Sequence, residues 1–360
     1  MSIHTVSALQ VVNYLKSPKK SDLRLSQIID ARSPNEYSLD RLPGAVNWPV
    51  LYDDQRELVG TMYKQINSFE AQKKGAGLVA ANIAKHIEEK VLELPRTWQP
   101  LIYCWRGGKR SGSLATVLGA IGFRVHLVEG GYKAFRTAVL EDIPRSVGAL
   151  NFQVICGPTG SGKTLLLTKL KEQGAQTLDL EQLAAHRSSV LGKLPDTQQP
   201  SQKAFETALW HELSQLDQNK WVFVESESRK IGNLNIPESL IHKMRASACI
   251  DLQMPTPERV KLLLDEYSFF VKDKELFASR LNALHALLGK EVLQRWQGWI
   301  DTDQIPKVVE ELLSLHYDPA YKGSISRNFE KFKTALPAEI HTYNTKEFDS
   351  LASNLIKNFV

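Results

Sequence analysis

At 360 residues, 42% of them apolar and 24% charged, the chain has the balance of a soluble globular protein with room for two domains, each burying its own core. The net charge of +5 permits a polyanionic partner but is too small a surplus on this length to establish one. Three cysteines with no CxxC pair exclude a disulfide framework and a cysteine zinc site, and no apolar run nears the ~18 residues of a membrane-spanning helix. The nine histidines are scattered without metal-ligand spacing, and neither an export signal nor a membrane anchor is found, so a cytoplasmic protein is expected.

An amphipathic stretch, "SALQVVNYL", leads to a short buried strand at Ile28 and Ile29, which stops at Asp30 before the turn signal Ser33-Pro34. "RLPGAVNWP" supplies a second turn, and residues 68 to 91 read as a long helix interrupted by Gly75 and Gly77. "PLIYC" and "RVHLVEGG" are strands flanking the helical "SGSLATVLGAIG", an alternation that predicts a parallel α/β sheet. The pattern restarts after "LEDIPRSVGALN", with the strand "FQVIC", a glycine loop and the helix "KTLLLTKLKEQG", so domains of 1–145 and 146–360 are expected. "QTLDLE", "WVFVES" and "SACIDLQ" are further interior strands. Beyond Pro257 the chain turns helical, with Val260, Leu263, Leu264 and Tyr267 on one face and Phe277, Leu281, Leu284, Leu288 and Val292 on another.

Chemistry concentrates first in "YCWRGGKRS". A strand ending in Cys104, then a glycine-bearing loop, then a helix opening near Ser111 aims backbone N–H groups and a positive helix end at the sulfur. Arg106, Lys109 and Arg110 add full charges, and such surroundings favour a thiolate nucleophile. Cys156 and Cys249, inside strand-like runs, read as buried structural thiols. Together "IIDARSPNEY", "RLPGAVNWP", "YCWRGGKRS" and "VEGGYKAFR" resemble a rhodanese domain, with Asp30, Arg32, Glu36 and Cys104 in the family's places. The resemblance implies a cysteine that carries sulfur or selenium. Five residues separate Cys104 from Arg110, one more than in common single-domain rhodaneses and similar to the phosphatase branch of the fold, so the loop suits a phosphate-sized anion.

The second concentration is "GPTGSGKT", a GxxxxGK[ST] match placed between a strand and a helix. Gly157, Thr159, Gly160, Ser161, Gly162, Lys163 and Thr164 are its phosphate-binding candidates, and Thr164 would bind Mg²⁺ if a metal is used. Glu225 or Glu227, at the end of "WVFVESES", is a candidate acidic partner that would orient metal or water. The motif fixes a bound phosphate or diphosphate and leaves ATP hydrolysis open.

Read as one chain, an N-terminal rhodanese-like parallel-sheet domain precedes a P-loop NTPase-like α/β domain with a helical C-terminal part. With "VGTMYKQINSFEAQKKGAGLVAANIAKHI" and "LDLEQLAAHRSSVLG" in addition, the sequence resembles the bacterial tRNA 2-selenouridine synthases. That resemblance implies a transferase acting on the wobble 2-thiouridine of tRNA, with selenophosphate and geranyl diphosphate as co-substrates, no tightly bound cofactor, and a selenophosphate-producing enzyme as a further partner. It also adds His186 and Arg187 to the second site. Lys64, Lys73, Lys74 and Lys85, and Lys322, Arg327, Lys331 and Lys333, are candidate tRNA contacts, and Trp48, Trp105 and Tyr132 candidate base-stacking rings. The competing readings are a phosphatase or sulfurtransferase fused to a P-loop kinase, and a nucleotide-sensing adaptor in which neither pocket turns over.

Overall fold

The computed structural model describes residues 2–187 and 197–359. The chain divides into two compact units, Met1–Arg145 with Pro200–Gln215, and Ser146–Gln199 with Leu216–Val360. No helix among the described residues is long and apolar enough to cross a membrane.

In the first unit the elements run β1 (Ser2–Val6), α1 (Ala8–Lys16), β2 (Gln27–Asp30), α2 (Pro34–Leu39), β3 (Ala45–Asn47), α3 (Asp53–Gln65), α4 (Ser68–Lys90), β4 (Pro100–Tyr103), α5 (Lys109–Ile121), β5 (Arg124–Val128) and α6 (Gly131–Ala149). The sheet order is β1-β5-β4-β2-β3 and every pairing is parallel. A parallel sheet is covered on both faces, which is why β4 is a continuous apolar run: Leu101, Ile102 and Tyr103 are all fully buried. One face packs Ile29, Ile102 and Val125 against Leu114, Leu118 and the stacked rings of Trp48 and Trp98. The expected helix over 68 to 91 is α4, unbroken by its glycines. Gly75 lies on its packing face, where a Cβ would come 3.4 Å from Val59 of α3. The turn expected over 41–49 contains β3, held by pairing with β2 rather than by its own pattern. A helix from beyond residue 145, Gln202–Gln215, completes this unit.

The second unit begins with β6 (Asn151–Cys156), α7 (Lys163–Glu172), β7 (Gln176–Leu178) and α8 (Leu180–Ala184). After α9, the helix Gln202–Gln215 already placed, come β8 (Trp221–Glu225), the small hairpin β9 (Lys230–Ile231) and β10 (Leu234–Asn235), α10 (Glu238–Arg245), β11 (Ala248–Gln253) and α11 (Thr256–Glu266). The helical part follows as α12 (Ser268–Lys272), α13 (Lys274–Leu281), α14 (His285–Leu288), α15 (Lys290–Asp301) and α16 (Ile305–Leu312). A π turn over Leu313–Tyr317 leads into α17 (Asp318–Asn328), then β12 (Leu336–Glu339) and α18 (Thr345–Phe359). The sheet order is β12-β11-β6-β8-β7, again wholly parallel. The helical face expected to run from Phe277 to Val292 is broken at Gly289, whose φ of 81° ends α14 and starts α15.

Candidate active site: two anion cradles

The cysteine loop springs from the carboxyl end of β4, where ligands of open α/β sheets bind. Cys104 is only 3% exposed, and the hydroxyl of Ser111, in the first turn of α5, donates to its Sγ at 3.1 Å. The loop turns at Gly107, whose φ is 66° and whose Cβ would stand 2.7 Å from the Val128 carbonyl, so no side chain fits there. Its far side is tied down by the N–H of Tyr132, which donates to the Cys104 carbonyl at 2.8 Å, and that of Lys133, which donates to Trp105 at 3.0 Å. Arg106 and Lys109 are exposed at the rim. Arg110 is turned to Glu36, donating to both carboxylate oxygens at 2.5 and 3.2 Å, and Arg56 joins at 3.1 Å. Burial disfavours ionisation of Glu36, but the Arg110 hydrogen bond and charge outweigh it and hold the carboxyl below its ordinary value.

Asp30 and Arg32 lie beneath this loop as a buried pair, joined at 2.6 Å, with Arg32 also donating to the Asp40 carbonyl and stacking 4.1 Å from the Tyr132 ring. They are framework rather than rim. Two of the three candidate stacking rings are corrected in the same way: Trp48 is buried against Trp98 and His86, and Tyr132 is buried with its hydroxyl on Asp40 at 2.8 Å. Trp105 alone of the three is partly exposed, with the Lys203 ammonium 5.6 Å from its ring.

The phosphate loop occupies the turn between β6 and α7. Gly160 and Gly162 have φ of 76° and 84°, and each is pressed against a neighbour: a Cβ would come 2.8 Å from Leu263 at the first and 2.5 Å from the Phe348 ring at the second. Lys163 lies back along the loop, donating from Nζ to the Gly157 carbonyl at 2.8 Å. Ser161 is fully buried, and its Oγ has no hydrogen-bond partner among the described residues. Arg259, 4% exposed, braces the loop from outside: Nε and Nη2 donate to the Thr159 carbonyl at 2.9 and 2.7 Å, while Asp318 holds the guanidinium at 2.6 Å.

Above the loop opens a cleft in which Lys163 and Thr164 meet Glu181, Glu225, Glu227 and Arg187. Arg187 is paired with Glu266 at 2.9 Å and lies over the Tyr267 ring. His186 is half-buried beside Arg187, and residues 188–192 of the stretch that carried both lie outside the described residues. Ligand atoms of Glu181, Glu225 and Glu227 all lie within 4.8 Å of one another. Glu225 is 4% exposed, with Oε1 unpartnered among the described residues, and burial, then the nearby Glu181 charge, push its carboxyl well above the ordinary value. Such a group is stabilised by a proton or by a cation, and three converging carboxylates beside a Thr hydroxyl suit a hard divalent ion.

Residues 150–273 match the family model described as the tRNA 2-selenouridine synthase AAA domain, and residues 11–138 match the rhodanese-like domain. A tRNA 2-selenouridine synthase from Nitrosomonas europaea is 33% identical over 348 residues, 83% of this chain and 89% of that protein. The chain belongs to the tRNA 2-selenouridine synthase family. A second synthase, from a Sulfurovum species, is 31% identical over 86% of this chain and 93% of its own length. A solved rhodanese-related protein from Thermoplasma volcanium is 16% identical, covering 38% of this chain and 92% of its own, with a TM-score of 0.24.

In this member of the synthase family, sequence reasoning missed Ser111, Glu181, Arg259 and Phe348 as parts of the two cradles. The first two had a signal: Ser111 opens the helix after the cysteine loop, and Glu181 lies in a quoted motif. Arg259 and Phe348 had none, because they act on loop backbone from distant elements. The basic candidates are exposed, with Lys64, Lys73 and Lys74 gathered on the α3–α4 hairpin and Lys322, Arg327 and Lys331 on and just after α17. Lys73 and Lys85 are paired to Glu70 and Glu89 at 2.6 and 3.7 Å.

Proposed function

We propose that the chain replaces sulfur by selenium at the wobble 2-thiouridine of tRNA in two steps that use the two cradles in turn. Family membership supports the RNA substrate and the product. What carries the division of labour is the presence in one chain of a P-loop on α7 and a cysteine loop on α5, each at the carboxyl end of a parallel strand.

In the first step the uridine sulfur attacks C1 of geranyl diphosphate. A C–S bond forms, the C–O bond breaks with its electron pair leaving on diphosphate, and the N3 proton is lost. The loop N–H groups of residues 157–164 and the Lys163 ammonium neutralise the charge that develops on the leaving group. Glu181, Glu225, Glu227 and Thr164 are the residues that would hold Mg²⁺, which when bound screens the diphosphate. In the second step selenium from selenophosphate adds to C2, geranyl thiol departs as a neutral leaving group, and water takes the phosphoryl group as phosphate. Arg106, Lys109 and the α5 N-terminus bind the donor's phosphate, with Cys104 and Ser111 at the floor of the cradle. An enzyme that makes selenophosphate supplies this step, in the cytoplasm.

The test is mass spectrometry of tRNA nucleosides after incubation with geranyl diphosphate and selenophosphate, each omitted in turn. Lys163→Ala is expected to abolish geranylation, and Cys104→Ala to block selenium incorporation while geranylated tRNA accumulates. Full selenation by the Cys104 variant would overturn its role. Release of phosphate from small phosphoesters without tRNA would return the phosphatase reading.

A further inference from the structure

Beside the phosphate cleft, the helical part of the second unit lines an apolar pocket that is partly open to solvent. Its walls come from α11, α12, α13, α16 and the π turn, with Leu264, Phe270, Phe277, Ile305, Val309 and Leu312 among them. The cavity and the cleft share Thr159, Leu263, Tyr267 and Tyr317, so they meet at the phosphate loop itself. Leu263 is the wall on which Gly160 rests, which fixes the cavity's opening against the loop backbone. The π turn gives Leu313 and Tyr317 to the lining, a use typical of such irregular turns at ligand sites.

We infer that this cavity holds the isoprenoid chain of the diphosphate donor and that its depth sets the chain length accepted. The inference rests on the geranyl diphosphate reading above and deepens it. The lining also discriminates between donors. A nucleotide base carries polar edges that must be hydrogen-bonded when buried, and this wall offers little beyond Thr159 and the tyrosine hydroxyls. An acyclic hydrocarbon leaves nothing unsatisfied there, and each buried carbon strengthens binding by about fourfold. The P-loop of this chain is thereby adapted to a diphosphate with an apolar tail.

The full chain is titrated with inorganic diphosphate, dimethylallyl diphosphate, geranyl diphosphate, farnesyl diphosphate and ATP. Geranyl diphosphate is expected to bind on the order of 1,000-fold tighter than dimethylallyl diphosphate, which has five fewer carbons, and tighter still than inorganic diphosphate. Val309→Trp fills the cavity without touching the phosphate cleft. It should bring geranyl diphosphate down to the affinity of inorganic diphosphate, whose own binding stays within about twofold and reports that the fold is intact. Val309→Ala, a milder change, should shift the preference toward the longer farnesyl chain. Unchanged geranyl diphosphate binding by Val309→Trp, with the preference order of Val309→Ala also unchanged, overturns the cavity assignment and leaves the donor reading standing. Wild-type protein that binds ATP more tightly than geranyl diphosphate overturns the donor reading itself.

Discussion

Ser111 and Glu36 serve the cysteine loop in different ways, and the difference is measurable. Ser111 donates directly to Sγ, so Ser111→Ala removes a hydrogen bond that counts for most when the sulfur is charged. Single-turnover selenation should slow roughly tenfold or more while folding stability falls by only about 1 kcal/mol. Glu36 instead positions Arg110 and is read through pH. Its carboxyl ionises below the ordinary 4.5 in the folded chain, so between the two values the unfolded chain binds more protons. The stability it contributes is therefore present above about 4.5 and is lost as pH falls through its lowered folded value. Thermal melts between pH 3 and pH 6 should show a shallower acid limb for Glu36→Gln than for the wild type; parallel limbs would refute the Arg110 coupling.

At the scale of elements, α9 is the part whose place could not have been foreseen. Within the first unit Trp210 is fully buried, its ring edge-on to Phe135 and its indole N–H donating to Asp142 at 2.8 Å, while Thr207 donates to Asp40 at 2.9 Å. Trp210→Ala should cost about 3–5 kcal/mol by opening a cavity and removing the indole hydrogen bond to Asp142, a loss visible in denaturant unfolding. Its sequence shows an amphipathic helix but not which sheet it covers, since periodicity reports that a face is buried and not against what. The interior strands were legible for the opposite reason: Leu101 to Tyr103 and Phe152 to Ile155 are apolar on both faces because a parallel sheet is covered twice. The edge strands β1, β3 and β12 were not, and β7, expected from "QTLDLE" as an interior strand, lies at the edge of its sheet. β1 carries polar Ser2, His4 and Thr5 among its five residues, and β12 carries Pro337, which is tolerated only where a backbone donor is not needed. Both glycine loops were legible down to single residues, because anion cradles demand glycine and cations at fixed offsets.

For the molecule as a whole, the surplus of basic residues acquires meaning only through where it is displayed. Lys64 and Lys74 on the α3–α4 hairpin and Lys322 and Arg327 on α17 are exposed, so they are free to meet an RNA backbone. If each contacts one phosphate, each alanine substitution should reduce the slope of log affinity against log salt by roughly 0.7–0.9 in a tRNA-binding titration, with equal effect on cognate and non-cognate tRNA. Lys73, already paired with Glu70, should change the slope less than Lys74. The packing of Phe348 on Gly162 has a broader consequence. A phosphate signature can survive intact in a protein whose last helix has been lost, because every letter of "GPTGSGKT" lies far upstream of the ring that shapes it. Such a shortened relative would still be counted as a donor-binding enzyme by any scan for the signature, yet its glycines would have nothing to lean on.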